Sequence, residues 1–212
     1  MKKLYWFLSV FIVIGLIVSC NVSVNEDIHI KDGETVYKSL NSVNGSIFIG
    51  KNCIVKGNCR TVNGRIEVGS NSQVGDLKTV NSKILIGEQV EVNGDIYSVN
   101  GKIDCERGVK IRGNVNTVNG SVRMDSTHVR LAIRTVNGDI TLAHGSVVQG
   151  NIKVKKSKSS SGDYRQLRIS LKDSTVVAGD ILVENEDIDV TVYLRGGSKV
   201  LGEIRNAEVV KE

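Results

Sequence analysis

A four-residue unit recurs through the middle of the chain. Its copies are Ser42-Val43-Asn44-Gly45, Thr61-Val62-Asn63-Gly64, Thr79-Val80-Asn81-Ser82, Ser98-Val99-Asn100-Gly101, Thr117-Val118-Asn119-Gly120 and Thr135-Val136-Asn137-Gly138. The valines step by 19, 18, 19, 19 and 18 residues. So steady a period is an internal repeat, and a repeat decides the architecture before any single segment does.

A second regularity runs inside each copy. Four residues after the Val stand Ile47, Ile66, Ile84, Ile103, Val122 and Ile140. Six after it stand Ile49, Val68, Ile86, Cys105, Met124 and Leu142, and eleven or twelve after it Val55, Val74, Val92, Ile111, Val129 and Val148. Three before it stand Leu40, Cys59, Leu77, Ile96, Val115 and Ile133. Polar residues fill most of the gaps, so the local period is two: short strands broken at Asn-Gly and Gly-Asp or Gly-Asn corners. A helical repeat would need a period near 3.6, which no part of the chain after the first twenty residues shows. A propeller blade needs about twice this length. The expected fold is all-β, a single-stranded parallel β-helix (β-solenoid) of 18–19 residues per coil, with like residues stacked every ~4.8 Å.

The composition agrees. Aromatics are only 4% of 212 residues, so the core is built from Val and Ile, and the absence of proline suits long hydrogen-bonded ladders. At each corner, Asn44, Asn63, Asn81, Asn100, Asn119 and Asn137 are expected to form a structural ladder of amides. Asn tolerates left-handed dihedrals, and the neighbouring Gly implies either a positive φ or a close backbone approach. The Ser or Thr before each Val reads as a hydroxyl ladder.

The first twenty residues read separately. Lys2 and Lys3 precede an uncharged apolar run, Leu4 to Val18, which has the shape of a secretory signal and is short for a span of ~20 residues. The run ends Ile17-Val18-Ser19-Cys20, which resembles the lipobox of bacterial lipoproteins. That resemblance implies cleavage before Cys20, a diacylglycerol on its thiol and acylation of its amine, hence an exported, lipid-anchored protein. Asn21 after the cysteine favours the outer membrane where the host is Gram-negative. Several acyl chains, at ~0.8 kcal/mol per buried methylene, hold a domain firmly.

The expected organisation is therefore a signal peptide at 1–19 and a lipidated N-terminus with an irregular first coil at 20–41. Regular coils follow at 42–154, then a flexible basic and Ser-rich loop at 155–166 and C-terminal coils at 167–212. Removing Lys2 and Lys3 from 28 basic residues leaves 26 against 23 acidic ones, a net +3 that is no field for nucleic acid.

Little in the chain reads as chemistry. Cys59 and Cys105 fall in inward columns and read as small buried hydrophobes. Cys53 is the one partner within reach of Cys59, and an oxidising compartment permits that bridge. His29, His128 and His144 are not clustered, and no Asp or Glu comb stands beside them. Arg65, Lys83 and Lys102 make a basic stripe on adjacent coils; it reads first as a solvated face and second as a binding stripe for anionic polysaccharide. The aromatics after the signal, Tyr37, Phe48, Tyr97, Tyr164 and Tyr193, share no column. The sequence implies no catalytic residue, no metal and no cofactor, and the chain is not expected to be an enzyme.

The S/T-V-N-G-x-I-x-V units resemble the bacterial adhesin-type β-solenoid family of unassigned function. Val176-Val177-Ala178-Gly179-Asp180-Ile181 and Val200-Leu201-Gly202-Glu203-Ile204 also resemble bactofilins, which form polymers but are cytoplasmic and lack a lipidated signal. A cytoskeletal role therefore does not carry over, and the expected function is a structural or interaction module, held to the membrane by its lipid and assembling end to end as a homo-oligomer through its open ends. The alternative is an adhesin that meets surface polysaccharide or protein along an outward ladder. A solenoid end is an open sheet edge, and open edges recruit strands.

Overall fold

The computed structural model describes residues 22–156, 165–184 and 188–212. They form a parallel β-solenoid of about nine coils, with no helix among the described residues. Each coil carries three strands, so the cross-section has three sides. The first coil contributes Val22–Ser23 to sheet A, Ile28–Ile30 to sheet B and Thr35–Val36 to sheet C. Ten, ten and nine strands stack in these sheets, each parallel to the strand one coil away.

Three sides follow from where the apolar residues fall. Ile47, Ile66, Ile84, Ile103, Val122 and Ile140 pair in unbroken register along sheet B and are at most 1% exposed. The columns headed by Leu40 in sheet A and Val55 in sheet C are likewise buried. Each fully buried Ile or Leu stabilises the fold by about 1.5–3 kcal/mol before chain entropy is counted. The first coil, expected to be irregular, is in register: Ile28 pairs with Ile47, Thr35 with Ile54 and Val22 with Asn41. Ile28, Ile30 and Val36, the apolar residues of that coil, fall on the inward columns of Ile47, Ile49 and Val55 although the coil lacks the Val-Asn-Gly signature.

The corner from sheet A to sheet B holds the Asn ladder. The Nδ2 of Asn63, Asn81, Asn100, Asn119 and Asn137 each donates to the Oδ1 one coil below, at 2.7–2.9 Å. Asn44 extends the chain of amides down to Asn25 at 2.5 Å. The hydroxyls beside them do not form the ladder expected of them. The buried residue of the motif is the Ser or Thr, while the Val is half-buried. Its oxygen accepts the N–H of the Gly three residues on, as in Gly64 to Thr61 (3.2 Å), Gly101 to Ser98 (3.0 Å) and Gly138 to Thr135 (2.8 Å). It then donates to a backbone carbonyl, as Thr61 does to Gly45 (2.9 Å). A hydroxyl here satisfies the turn's own buried polar groups, which would otherwise be orphaned.

The glycines of this corner are required by close approach. A Cβ on Gly101 would lie 1.5 Å from the carbonyl oxygen of Ser82, and on Gly64 2.0 Å from that of Gly45. Most of the left-handed residues lie at another corner, from sheet B to sheet C, among them Asn52, Asn71, Gln89, Gly108, Ser126 and Gly145, with φ between 43° and 77°, while Asn206 (φ 58°) is left-handed at the last A-to-B corner. Of the ladder asparagines only the added Asn25 is left-handed (φ 61°). The third corner, from C to A, is a ladder of acceptors. Asn58 Oδ1 takes the Asp76 N–H (3.0 Å), Asp76 that of Asp95 (3.0 Å), and Asp95 that of Asn114 (2.7 Å). Ala132 supplies no such oxygen, and beside it Leu131, in the glycine column, is 45% exposed; the ladder resumes from Asn151 to Asp180 and on to Glu203.

Two late coils depart from the rest. Sheet B there uses seven-residue strands, Arg165–Leu171 and Ile188–Leu194, paired along their whole length. The expected loop at 155–166 is thus corrected at its end: Arg165 and Gln166 begin a strand, while residues 157–164 lie outside the described residues. Lys155 at its start pairs with Glu184 one coil on, at 2.8 Å.

Candidate interaction surfaces

Cys53, Cys59 and Cys105 are buried and free. Cys53 lies inward at the B-to-C corner and donates to the Lys31 carbonyl (3.0 Å), whereas Cys59 stands in the sheet A column between Leu40 and Leu77. Neighbours in sequence, they occupy different sides of the coil, so the bridge left open by the sequence is not formed. Burial pushes the Cys59 thiol up to about 12 and raises that of Cys105 further, so neither is a nucleophile at neutral pH. Cys20 lies outside the described residues.

Sheet pairing stacks Arg65, Lys83 and Lys102 on successive coils at the start of sheet B: the Ile66 N–H donates to the Lys83 carbonyl and the Ile84 N–H to that of Lys102. Two of the three charges are compensated within their own strand. Lys102 Nζ lies 2.6 Å from Asp104, and Arg65 Nε lies 3.6 Å from Glu67. Arg65 also covers Phe48, its guanidinium 4.8 Å from the ring, and His29 stacks on that ring's other side at 4.8 Å and 10°. The run His29–Phe48–Arg65 is therefore a short stack along the axis. Phe48 and Tyr193, expected to share no column, both stand in the outward column of sheet B. Seven coil steps separate them, so they make no common platform.

Beside the stripe a shallow groove of about 820 Å³ runs along the axis. Gly50, Gly69 and Gly87 leave its edge low, and Phe48, Glu67, Leu85, Asp104 and Arg123 stand along it. Its charges are mixed, and nothing converges on one point in it.

His144 is where the sequence reading missed a cluster. Its Nδ1 lies 2.9 Å from Asp125 and its Nε2 3.5 Å from Asp173, on the coils below and above. The spacing from Asp125 to His144 is one coil of 19 residues, but the 29-residue step to Asp173 spans the long loop, which hides the register. Among the described residues no group of three metal-ligating side chains is placed to hold an ion.

Among the described residues, nothing covers the sheet edges at either end of the solenoid. Sheet B stops at Ile28–Ile30 below and Glu208–Lys211 above, sheet C at Thr35–Val36 and Lys199–Val200, and sheet A at Val22–Ser23 and Ile204–Arg205. Ile28, Ile30 and Val36 at one end, and Val200, Ile204 and Ala207 at the other, pack on the core but stay only partly buried. Leu201 is 66% and Val209 40% exposed at the upper end. No helix of the described residues is long and apolar enough to cross a membrane. The chain matches no family model, no curated protein and no solved structure.

Proposed function

We propose that this chain is an exported, lipid-anchored protein whose rigid solenoid is a structural and interaction module, joining a second copy end to end. The observation that carries the reading is the pair of solenoid ends, which no described residue caps. Each offers three strand edges and partly buried apolar side chains, and these are surfaces that ordinary folds cover or charge. The lipobox ending at Cys20 supports the anchor. The ten strands of sheet A, at ~4.8 Å each, make a rod of about 43 Å.

Adhesion to anionic glycan along Arg65, Lys83 and Lys102 is the weaker reading, since Glu67 and Asp104 offset two of the charges. Sedimentation velocity on residues 21–212 over a wide concentration range tests the first. Growth into long species supports end-to-end assembly, and Val209→Pro should stop it. The Glu212 N–H bonds inward to Leu194, so by alternation along a parallel strand the Val209 N–H faces the open end. A monomer of rod-like friction at every concentration would remove self-association and leave display to another partner.

A further inference from the structure

We infer that the first coil sits directly on the bilayer surface, with the corner around Tyr37 turned to the lipid. The inference rests on the anchor at Cys20 proposed above. Only Asn21 separates Cys20 from Val22, so the two lie two residue steps apart, a reach of at most ~7 Å. Val22 is already in the solenoid, paired with Asn41. The anchored rod therefore has no linker, and its lowest coil cannot leave the headgroup region.

The side chains of that coil are unequally suited to lipid. Tyr37, at the C-to-A corner four residues before Asn41, is 74% exposed, the highest value among the exposed large apolar and aromatic side chains. Lys56 of the next coil lies over its ring at 4.8 Å, and Lys38 beside it is exposed. A tyrosine flanked by lysines suits a lipid headgroup layer: the ring prefers the interface, and ammonium groups meet anionic headgroups. The carboxylates of the coil stand elsewhere, Glu26 and Asp27 before the strand Ile28–Ile30 and Asp32 and Glu34 after it. Repulsion of that side from an anionic surface would tip the rod onto its Tyr37 corner. The lower strand edges then face lipid, so the anchored rod has its upper edge, Glu208–Lys211, for a second copy and stops at a pair, whereas the lipid-free chain has both ends open and can grow.

The chain's single tryptophan, Trp6, lies in the signal segment, so the processed protein offers a dark background for a reporter. The precursor would be produced in a host that acylates lipoproteins, and the mature protein reconstituted on phosphatidylethanolamine–phosphatidylglycerol vesicles containing brominated lipid. Tyr37→Trp is compared with Tyr97→Trp, three strand spacings or about 14 Å higher on sheet A, and with Tyr193→Trp near the far end. Quenching of the residue 37 reporter should exceed that of the other two by about twofold or more, as for an indole at headgroup depth. Replacing Lys38 and Lys56 by Ser should reduce it on anionic vesicles but not on zwitterionic ones. Equal quenching at 37 and 97 would mean a rod lying flat, and no quenching at 37 on protein that floats with the vesicles would mean a rod held off the surface; either overturns the contact. Mass spectrometry of Cys20 separates the two layers of the argument: an unacylated protein that stays in solution overturns the anchor, and the contact with it.

Discussion

Replacing Gly101 by alanine should destabilise the solenoid far more than the same change at Gly145, although only Gly145 has a left-handed backbone. At Gly145 (φ 71°) a Cβ would meet nothing within 4 Å, so the cost is the left-handed penalty alone, about 1–2 kcal/mol. At Gly101 the φ is ordinary, but the Cβ would stand 1.5 Å from the Ser82 carbonyl oxygen and 2.2 Å from its carbon. Those are backbone atoms of the coil below, tied into their own ladder, and they cannot swing aside like a side chain. Relief requires the two coils to part locally, which strains the bond from the Gly101 N–H to Ser98 Oγ (3.0 Å) and from Asn100 to Asn81 (2.9 Å). Overpacking of 1–3 kcal/mol and the weakening of two bonds near 1 kcal/mol each give roughly 3–5 kcal/mol. For a chain of this size each kcal/mol moves Tm by about 2–4 °C, so Gly101→Ala should lower it by about 10 °C and Gly145→Ala by about 4 °C. Thermal melts followed by circular dichroism check the order, and hydrogen exchange should place the new opening at residues 82 and 101. Equal losses, or a greater loss at Gly145, would refute close approach as the reason for glycine in this column.

Thr61→Val should cost about 1–3 kcal/mol despite its near-equal volume, because it leaves the Gly64 N–H without its acceptor and the Gly45 carbonyl without its donor; denaturant midpoints check it. Cys59 should resist iodoacetamide at pH 8 in the folded protein and react fully in denaturant, since burial holds its thiol near 12; prompt labelling of the native protein would contradict the burial. Asp76 is pushed up by burial, but the Lys78 ammonium at 2.9 Å and the Asp95 N–H outweigh that and hold it below its ordinary 3.8. A depressed folded value stabilises above the ordinary one and is lost as pH falls through the folded one. Asp76→Asn should therefore be less stable than the parent at neutral pH by under about 1 kcal/mol, and the gap should close below about pH 4 in acid titrations.

The repeat made the stacking legible because a parallel solenoid places like residues over like. The columns of Leu40, Ile47 and Val55, and the amides of Asn44 to Asn137, could be read by counting. The His144 cluster could not, since its third member lies across a step of 29 residues. Nor could the basic stripe be judged, because Glu67 and Asp104 neutralise Arg65 and Lys102 by projecting from the same side of a strand.

What the sequence determined alone was the period, the inward columns and hence the solenoid, all set by local alternation and simple repetition. What only the tertiary structure decided was the work of each corner. One glycine column is needed for backbone approach between coils, and a different column carries the left-handed φ. Each buried hydroxyl serves its own turn, and Cys53 and Cys59 face separate sides of the triangle. These depend on distances between residues a whole coil apart, and on the angle at which the chain leaves each strand. Residue type constrains neither until the coils are stacked.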